Sequence, residues 1–449
     1  MLNRRELIAL AGFSAFAAES EVATILKRIQ PPQIPERDFP IIKFGARPGQ
    51  DATEAIRRAI RAAAEQRGGR VVIPEGVWLT GPIHLKSKVN LHVSRGATLK
   101  FSTDPKQYLP AVFTRWEGTE CMNYSPFIYA FEQTDIAITG EGTLDGQAGC
   151  EAWWPWAGKG HCDLKPGAPN QRADRDALVA MADKGTPVSE RQFGEGHYLR
   201  PNFIQPYRCT NVLIEGVTIR NSPMWEIHPA LCTNVIVRGI KINTHGPNND
   251  GCNPESCRDV LIENCEFDTG DDCIAIKSGR NQDGRRVAVP SENIIIRNCT
   301  MKAGHGGVTI GSEISGHCRN VFVEDCVMSS PDLNQALRFK NNAARGGIIE
   351  HFRARNIKVG QVGVALEIDL LYEEGSKGAY KPVVRDIAID GLTCDHAKSP
   401  WTLRGFPGAV VEQITLENVT ILRADKPPLV DHVEGLKLRN VTVNGKSLS

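Results

Sequence analysis

Apolar residues come in short, regularly spaced runs along most of this chain. Val212-Leu213-Ile214, Val235-Ile236-Val237, Val260-Leu261-Ile262, Ile294-Ile295-Ile296 and Val321-Phe322-Val323 each directly follow an Asn or Asp. Such runs, punctuated by Gly and Asn, read as buried strands. The lines begin near Asn211, Asn234, Asp259, Asn293, Asn320, His351, Asp386, Gln413 and Gly435, at intervals of roughly 22 to 35 residues, which is solenoid spacing. Strand-like segments start at Arg70 and run to Asn444. The pattern predicts an all-β fold: a single-stranded right-handed parallel β-helix, with each coil resting on the last. A sandwich or barrel would need hairpins with Asn-Gly or Asp-Gly two-residue turns, and these hardly occur.

Two stretches depart from the strand rhythm. Ala55, Ile56, Ala59, Ile60 and Ala63 keep helical spacing, and Asp51 with Glu54 resembles a capping box, so one helix is expected over about 51–66. A stack of coils exposes its core at each end, and this helix is the natural plug. Between residues 146 and 200 the rhythm breaks again, with Trp153, Trp154 and Trp156 followed by a polar, partly helical stretch over 174–184. This is expected to be a loop insertion on one face, and loops over 278–290 and 372–381 lengthen other turns. The tryptophans suit either a platform for sugar rings or a satellite core. Trp225 carries the same two readings, while the neighbouring His228 reads as a hydrogen-bonded structural residue.

Composition narrows the partners. Lys and Arg total 53 against 52 Asp and Glu, so no bulk charge calls for nucleic acid or an anionic membrane. Any anionic ligand must be met by local cations. Residues 1–18 have a basic start with Arg4 and Arg5, an apolar run from Leu7 and a small-residue exit at Ala15 and Ala17. They are expected to be a bacterial export signal, by the general or the twin-arginine route, placing the product in the periplasm or outside the cell. The alternative is an N-terminal helix packed on the body. Residues 19–449 are then one β-helical catalytic domain, and no other run reaches the 18 or more apolar residues of a membrane span. The 13 cysteines follow the repeat. Cys209, Cys232, Cys257 and Cys318 each precede a line by two residues, and Cys265, Cys299 and Cys326 share a later slot, which predicts core ladders with room for a few disulfides.

The candidate chemistry also follows the repeat. Asn248-Asn249-Asp250, Gly270-Asp271-Asp272, Gly304-His305-Gly306 and Arg338-Phe339-Lys340 each lie about one coil beyond the last. Coils about 4.8 Å apart bring three carboxylates, an imidazole and two cations to one patch of wall. Crowded carboxylates repel, which lifts at least one pKa. Glycosidic hydrolysis needs one protonated and one ionised carboxyl, with about 6.5–9.5 Å between them in inverting enzymes. Arg338 and Lys340 share one strand face beside the acids, which suits a substrate with a carboxylate next to the cleaved bond.

These four clusters, in this order, resemble the polygalacturonases of glycoside hydrolase family 28, and the resemblance covers nearly the whole chain. It implies metal-independent inverting hydrolysis of α-1,4-galacturonosyl bonds in an acidic pectic polysaccharide or oligogalacturonide, with no cofactor. By motif position it makes Asp271 the general acid. Asp250 and Asp272 position and activate water, His305 supports the acid, and Asn248, Arg338 and Lys340 bind substrate. Asn249 stands where threonine is common, and Phe339 replaces a usual isoleucine. Three other readings stand beside this one: a rhamnogalacturonan- or xylogalacturonan-cleaving hydrolase, a Ca-dependent pectate lyase, and a non-catalytic glycan-binding β-helix. The insertions on one face lean toward attack from chain ends.

Overall fold

The computed structural model describes residues 19–158, 162–164 and 167–448, so the expected export signal over 1–18 lies outside the described residues. Parallel strands stack into one 27-stranded sheet that winds as a right-handed β-helix. In the central coils Thr210–Glu215, Thr233–Arg238, Arg258–Glu263, Ser291–Arg297 and Cys318–Glu324 form one ladder. Register is strict, because a one-residue slip would exchange the two faces. Ile214, Val237, Ile262, Ile296 and Val323 therefore stack in a column inside the coil.

The residue that opens each line has a structural cause. Asn211, Asn234, Asp259, Asn293, Asn320, His351, Asp386, Gln413 and Gly435 all have positive φ, between 55° and 70°. Asn and Asp tolerate this left-handed turn better than most non-glycine residues. Their side chains also bond from coil to coil: the Nδ2 of Asn234 donates to Asn211, and that of Asn320 to Asn293.

The middle residues of the apolar runs point outward, yet Leu213, Ile236, Leu261, Ile295 and Phe322 are buried. A helix over 19–28 covers them with Val22 and Ile25, and Ile29 just beyond its end adds to the cover. Three consecutive apolar residues on a strand are what coverage of both faces requires.

At the N-terminal end the helix Thr53–Glu65 plugs the first coil with Ala55, Ile56, Ala59, Ile60 and Ala63, as the spacing predicts. The capping box does not form. Ala52 holds the cap position, and Asp51 instead accepts the Thr53 backbone N–H, one residue early for the box. Nor are hairpins wholly absent. Val112–Trp116 and Thr119–Asn123 pair antiparallel about Glu117-Gly118, both at positive φ. Such a turn matches strand twist with Gly at its second position, so a Glu-Gly pair served where Asn-Gly was the expected signal.

The cysteine ladders hold: eleven free cysteines are buried, while the single disulfide among the described residues, Cys150–Cys162, lies off the repeat in the insertion. The insertion carries the helix Arg172–Asp183, and its strand Gln192–Phe193 pairs with the hairpin. Its tryptophans mainly pack. Trp153 is buried against Tyr108 and Phe127, Trp156 lies edge-on to Tyr198, and Trp225 joins Trp116, Leu178 and Phe193 in a satellite core. His228 is buried between Asn202, Gln205 and Glu255, the structural role its setting suggested.

Candidate active site

The third strand of each coil, with the turn before it, brings the site together. Asp250 precedes Cys252, which bridges to Ile274 of the strand Ile274–Ile276, and that strand pairs with Gly304–Ile310. The next partner is Leu333–Lys340, with Thr309 opposite Arg338. Asp250, Asp271 and Asp272 each offer an oxygen within 4.8 Å of the other two. This is closer than the spacing expected for an inverting pair. Two of the acids are consecutive, and the third sits a single strand spacing away.

Glycines make room for this crowding. A Cβ on Gly270 would lie 2.4 Å from the Gly246 carbonyl oxygen, so the turn carrying Asp271 can rest on its neighbour only without a side chain. A Cβ on Gly306 would meet Thr309 Oγ1 at 2.2 Å and Asp272 Oδ1 at 2.8 Å. Both consecutive aspartates are thereby held at a turn, which an ordinary strand would have split to opposite faces.

The acids differ in access and partners. Asp271 is the most open, its side chain 18 % exposed against 4 % for Asp250 and 1 % for Asp272, so Asp271 is the acid most accessible to a ligand. Its Oδ1 lies 2.9 Å from His305 Nδ1. Burial works against charge on Asp271, but the His305 hydrogen bond, with Lys340 and Lys277 behind it, holds the carboxyl below its ordinary range. The same bond raises His305. Asp250 moves the other way: burial and the Asp271 charge push it well above the usual carboxylate range. Asp272 accepts from Lys340 Nζ (2.7 Å) and from Thr309 Oγ1 (2.9 Å), with Arg338 at 3.6 Å.

Arg338 and Lys340 thus stand against the acids, though not as free groups. Lys340 is buried on Asp272, and Arg338 also bonds Glu367 at 3.1 Å. Asn248 lies at the edge, partly exposed, with Oδ1 accepting from Arg200. The unusual Asn249 is a fastener: it accepts from the Gly246 N–H and donates to the carbonyls of Ser222 and Met224, fixing the turn that carries Asp250.

Several neighbours had no motif to announce them. Lys277 sits 3.5 Å from Asp250, 3.2 Å from Glu313 and 4.5 Å above the Trp225 ring. Tyr372, from the loop over 372–381, lies 5.3 Å from Lys340 and 5.5 Å from Arg338. The Glu226 carboxyl is buried with no hydrogen-bond partner among the described residues, and burial beside Asp250 and Asp271 pushes it well above the ordinary range. Three close carboxylates could also hold a cation, but the ammonium groups of Lys340 and Lys277 already face Asp272 and Asp250.

From Lys277 a chain of charges leads away from the acids. Glu313 reaches Arg280, Arg280 lies 3.1 Å from Glu117 at the hairpin tip, and Glu117 lies 2.7 Å from Arg175 of the insertion helix. Arg280 also approaches Glu374. These pairs join the hairpin, the insertion and the two loops into one wall beside the acids.

The chain is similar to known proteins. The family model of glycosyl hydrolases family 28 matches residues 190–441. A solved exopolygalacturonase from Thermotoga maritima is 46 % identical, with a TM-score of 0.89 and 96 % of each chain covered. An endo-polygalacturonase of Pectobacterium carotovorum is 27 % identical over 92 % of either chain. A probable polygalacturonase of Vitis vinifera is 29 % identical over 86 % of this chain and 74 % of its own. The match spans the acids, the histidine and the cation pair, and it sets aside the lyase and the non-catalytic readings: the chain is a glycoside hydrolase and belongs to glycosyl hydrolases family 28.

Proposed function

We propose that this enzyme hydrolyses the α-1,4-galacturonosyl bonds of polygalacturonate from chain ends, releasing monogalacturonate. The observation that carries the reading is the meeting of Asp271 with His305, and of Asp272 with Lys340 and Arg338, on one patch of wall. Likeness to an exopolygalacturonase over almost the full chain supports it. So does the charge-paired wall, which would close one end of the cleft.

Asp271 donates the proton to the leaving oxygen. At rest its hydrogen bond with His305 favours the ionised carboxyl and the protonated imidazole. A bound sugar shuts water out of that pair, and loss of water favours the neutral partners, so the proton on Nδ1 passes 2.9 Å to Oδ1. Asp272, its charge balanced by Lys340 and Arg338, accepts the proton of the attacking water, and Asp250 orients that water. The close spacing of the acids alone would suit retention. Lys340 and Thr309 instead hold Asp272 as a positioned base for water, the role that inversion requires. Proton NMR of early product distinguishes the two: β-galacturonate first for inversion, the α-anomer for retention.

Arg338, with Lys340 behind it, meets the carboxylate of the sugar on the leaving-group side, where a charge-assisted bond would be strong. The test is release of reducing ends from polygalacturonate, fully methyl-esterified pectin and rhamnogalacturonan. Activity confined to polygalacturonate is expected; equal or greater activity on either of the others would overturn the substrate assignment. We also infer export through residues 1–18. N-terminal sequencing of protein from the periplasm or medium should find these residues removed, and an uncleaved cytoplasmic chain would refute it.

A further inference from the structure

Arg200 closes the insertion, and its side chain is completely buried, at 0 % exposure. Its guanidinium donates from Nε to Gln171 Oε1 (2.9 Å) and from one terminal nitrogen to the carbonyls of Pro223 (2.8 Å) and Pro247 (2.6 Å). The other terminal nitrogen donates to Asn248 Oδ1 at 2.8 Å. All four acceptors are neutral, and among the described residues no carboxylate oxygen lies within 4.0 Å of it. Burial lowers its basicity to about 10, which still leaves it charged at neutral pH. Glu117, Asp271 and Asp250 attract it from further off, but a buried cation with no carboxylate in contact is costly to keep. If this position served only to fill space, a neutral side chain would serve at lower cost.

What the fork touches suggests what the charge is for. It spans two successive turns, at Pro223 and Pro247, and the second leads directly into Asn248-Asn249-Asp250. An Asn side chain carries an acceptor at one end and two donors at the other. With Oδ1 held by the guanidinium, the Asn248 amide cannot turn over. Its Nδ2 has no acceptor among the described residues, and the residue is partly exposed. The N–H donors are therefore what Asn248 offers to a bound sugar, and the cation on the oxygen side polarises them further.

We propose that Arg200 is a positioning residue of the hydrolytic site: it locks the Asn248 amide with its donors toward the substrate. This rests on the hydrolysis proposed above. If the wild-type enzyme releases no reducing ends from oligogalacturonate, that reading fails first; if it does and the variants below behave like it, only the present inference fails.

The test is a double-mutant cycle on trigalacturonate with Arg200→Lys and Asn248→Ala. Arg200→Lys keeps the charge and loses the fork, so kcat/KM should fall by about 10–100-fold, the scale of a small misplacement. In the Asn248→Ala background the same change should cost less than about 3-fold, because its target is gone. Losses that simply add, or an Arg200→Lys enzyme within about 3-fold of wild type, would overturn the proposal. A merely structural arginine would lower activity equally in both backgrounds. Should Arg200→Lys fail to fold, Asn248→Asp decides. It keeps a partner for the guanidinium but presents an acceptor where the donors were, so a fall of similar size is expected, and wild-type kcat/KM would refute the donor role.

Discussion

On the floor of the proposed cleft, the groups that meet come from successive coils. Asp250 and Asp272, in the turns before neighbouring strands, and Thr309, Arg338 and Lys340, on the strands, come together because those strands pair in register. In the wall the partners follow no period. Glu117 meets Arg175 after 58 residues and Arg280 after 163. A solenoid thus assembles its acid–base group as a by-product of stacking, whereas the elements that shape the cleft are separate insertions fastened by individual ion pairs. Changes to the floor should alter rate, and changes to the wall should alter which bond is cut.

The strongest contrast is expected at Asp271. Asp271→Asn should lower kcat by about 10²–10⁴-fold, the usual reach of a general acid, with little change in Tm. Activity within a few-fold of wild type would place the acid elsewhere. A core residue of the same coils should do the reverse. Ile262 is fully buried between Val237 and Ile296, so Ile262→Ala should cost about 2–5 kcal/mol in denaturant unfolding and leave kcat per folded molecule unchanged. A loss under 1 kcal/mol would mean the coil collapses around the cavity.

Arg338→Met removes a group placed to meet a carboxylate, a loss of about 1.5–3 kcal/mol for a charged hydrogen bond. Cleavage of polygalacturonate should fall by about 10–100-fold, and that of a partly methyl-esterified chain far less. Equal losses on both would make Arg338 only a brace for Asp272 and Glu367.

The wall offers a subtler effect. Glu117→Ala leaves Arg280 buried without its closest acid, so Tm should drop, and some digestion products should lengthen from monomer to short oligomers. An unchanged product pattern would separate the wall from specificity.

The smallest effect concerns pH. His305 is raised and Asp271 lowered by the same hydrogen bond. The histidine's contribution is complete below its ordinary 6.5 and lost as pH rises through the raised value. That of the aspartate is complete above its ordinary 3.8 and lost as pH falls through the lowered value. The pair therefore stabilises most between those two ordinary values. Half of the His305 side chain is in water, so His305→Gln should cost at most about 1 kcal/mol at pH 5–6 and less at pH 9. A cost that grows with pH would contradict the pairing.

The floor was legible in the sequence for the same reason that it forms. Period placed Asp250, Asp271, Asp272, His305, Arg338 and Lys340 together before any coordinates, and it fixed the Asn-led lines now found at positive φ. What it could not show was how closely the acids crowd, since that depends on the side-chain space left by Gly270 and Gly306. Lys277, Glu313, Glu226 and Tyr372 lay outside any repeated slot. The helix over 19–28 had a signal that went unused: apolar middle residues in five successive lines require a cover on the outer face. The hairpin about Glu117-Gly118 had almost none, because Glu is an uncommon first residue for such a turn.

One measurement bears most directly on the division between floor and wall: the products of a brief digest of long polygalacturonate, followed together with its viscosity. Monogalacturonate should appear from the first minutes with little fall in viscosity if, as proposed, the charge-paired wall closes one end of the cleft. A rapid loss of viscosity with a ladder of oligomers would contradict it.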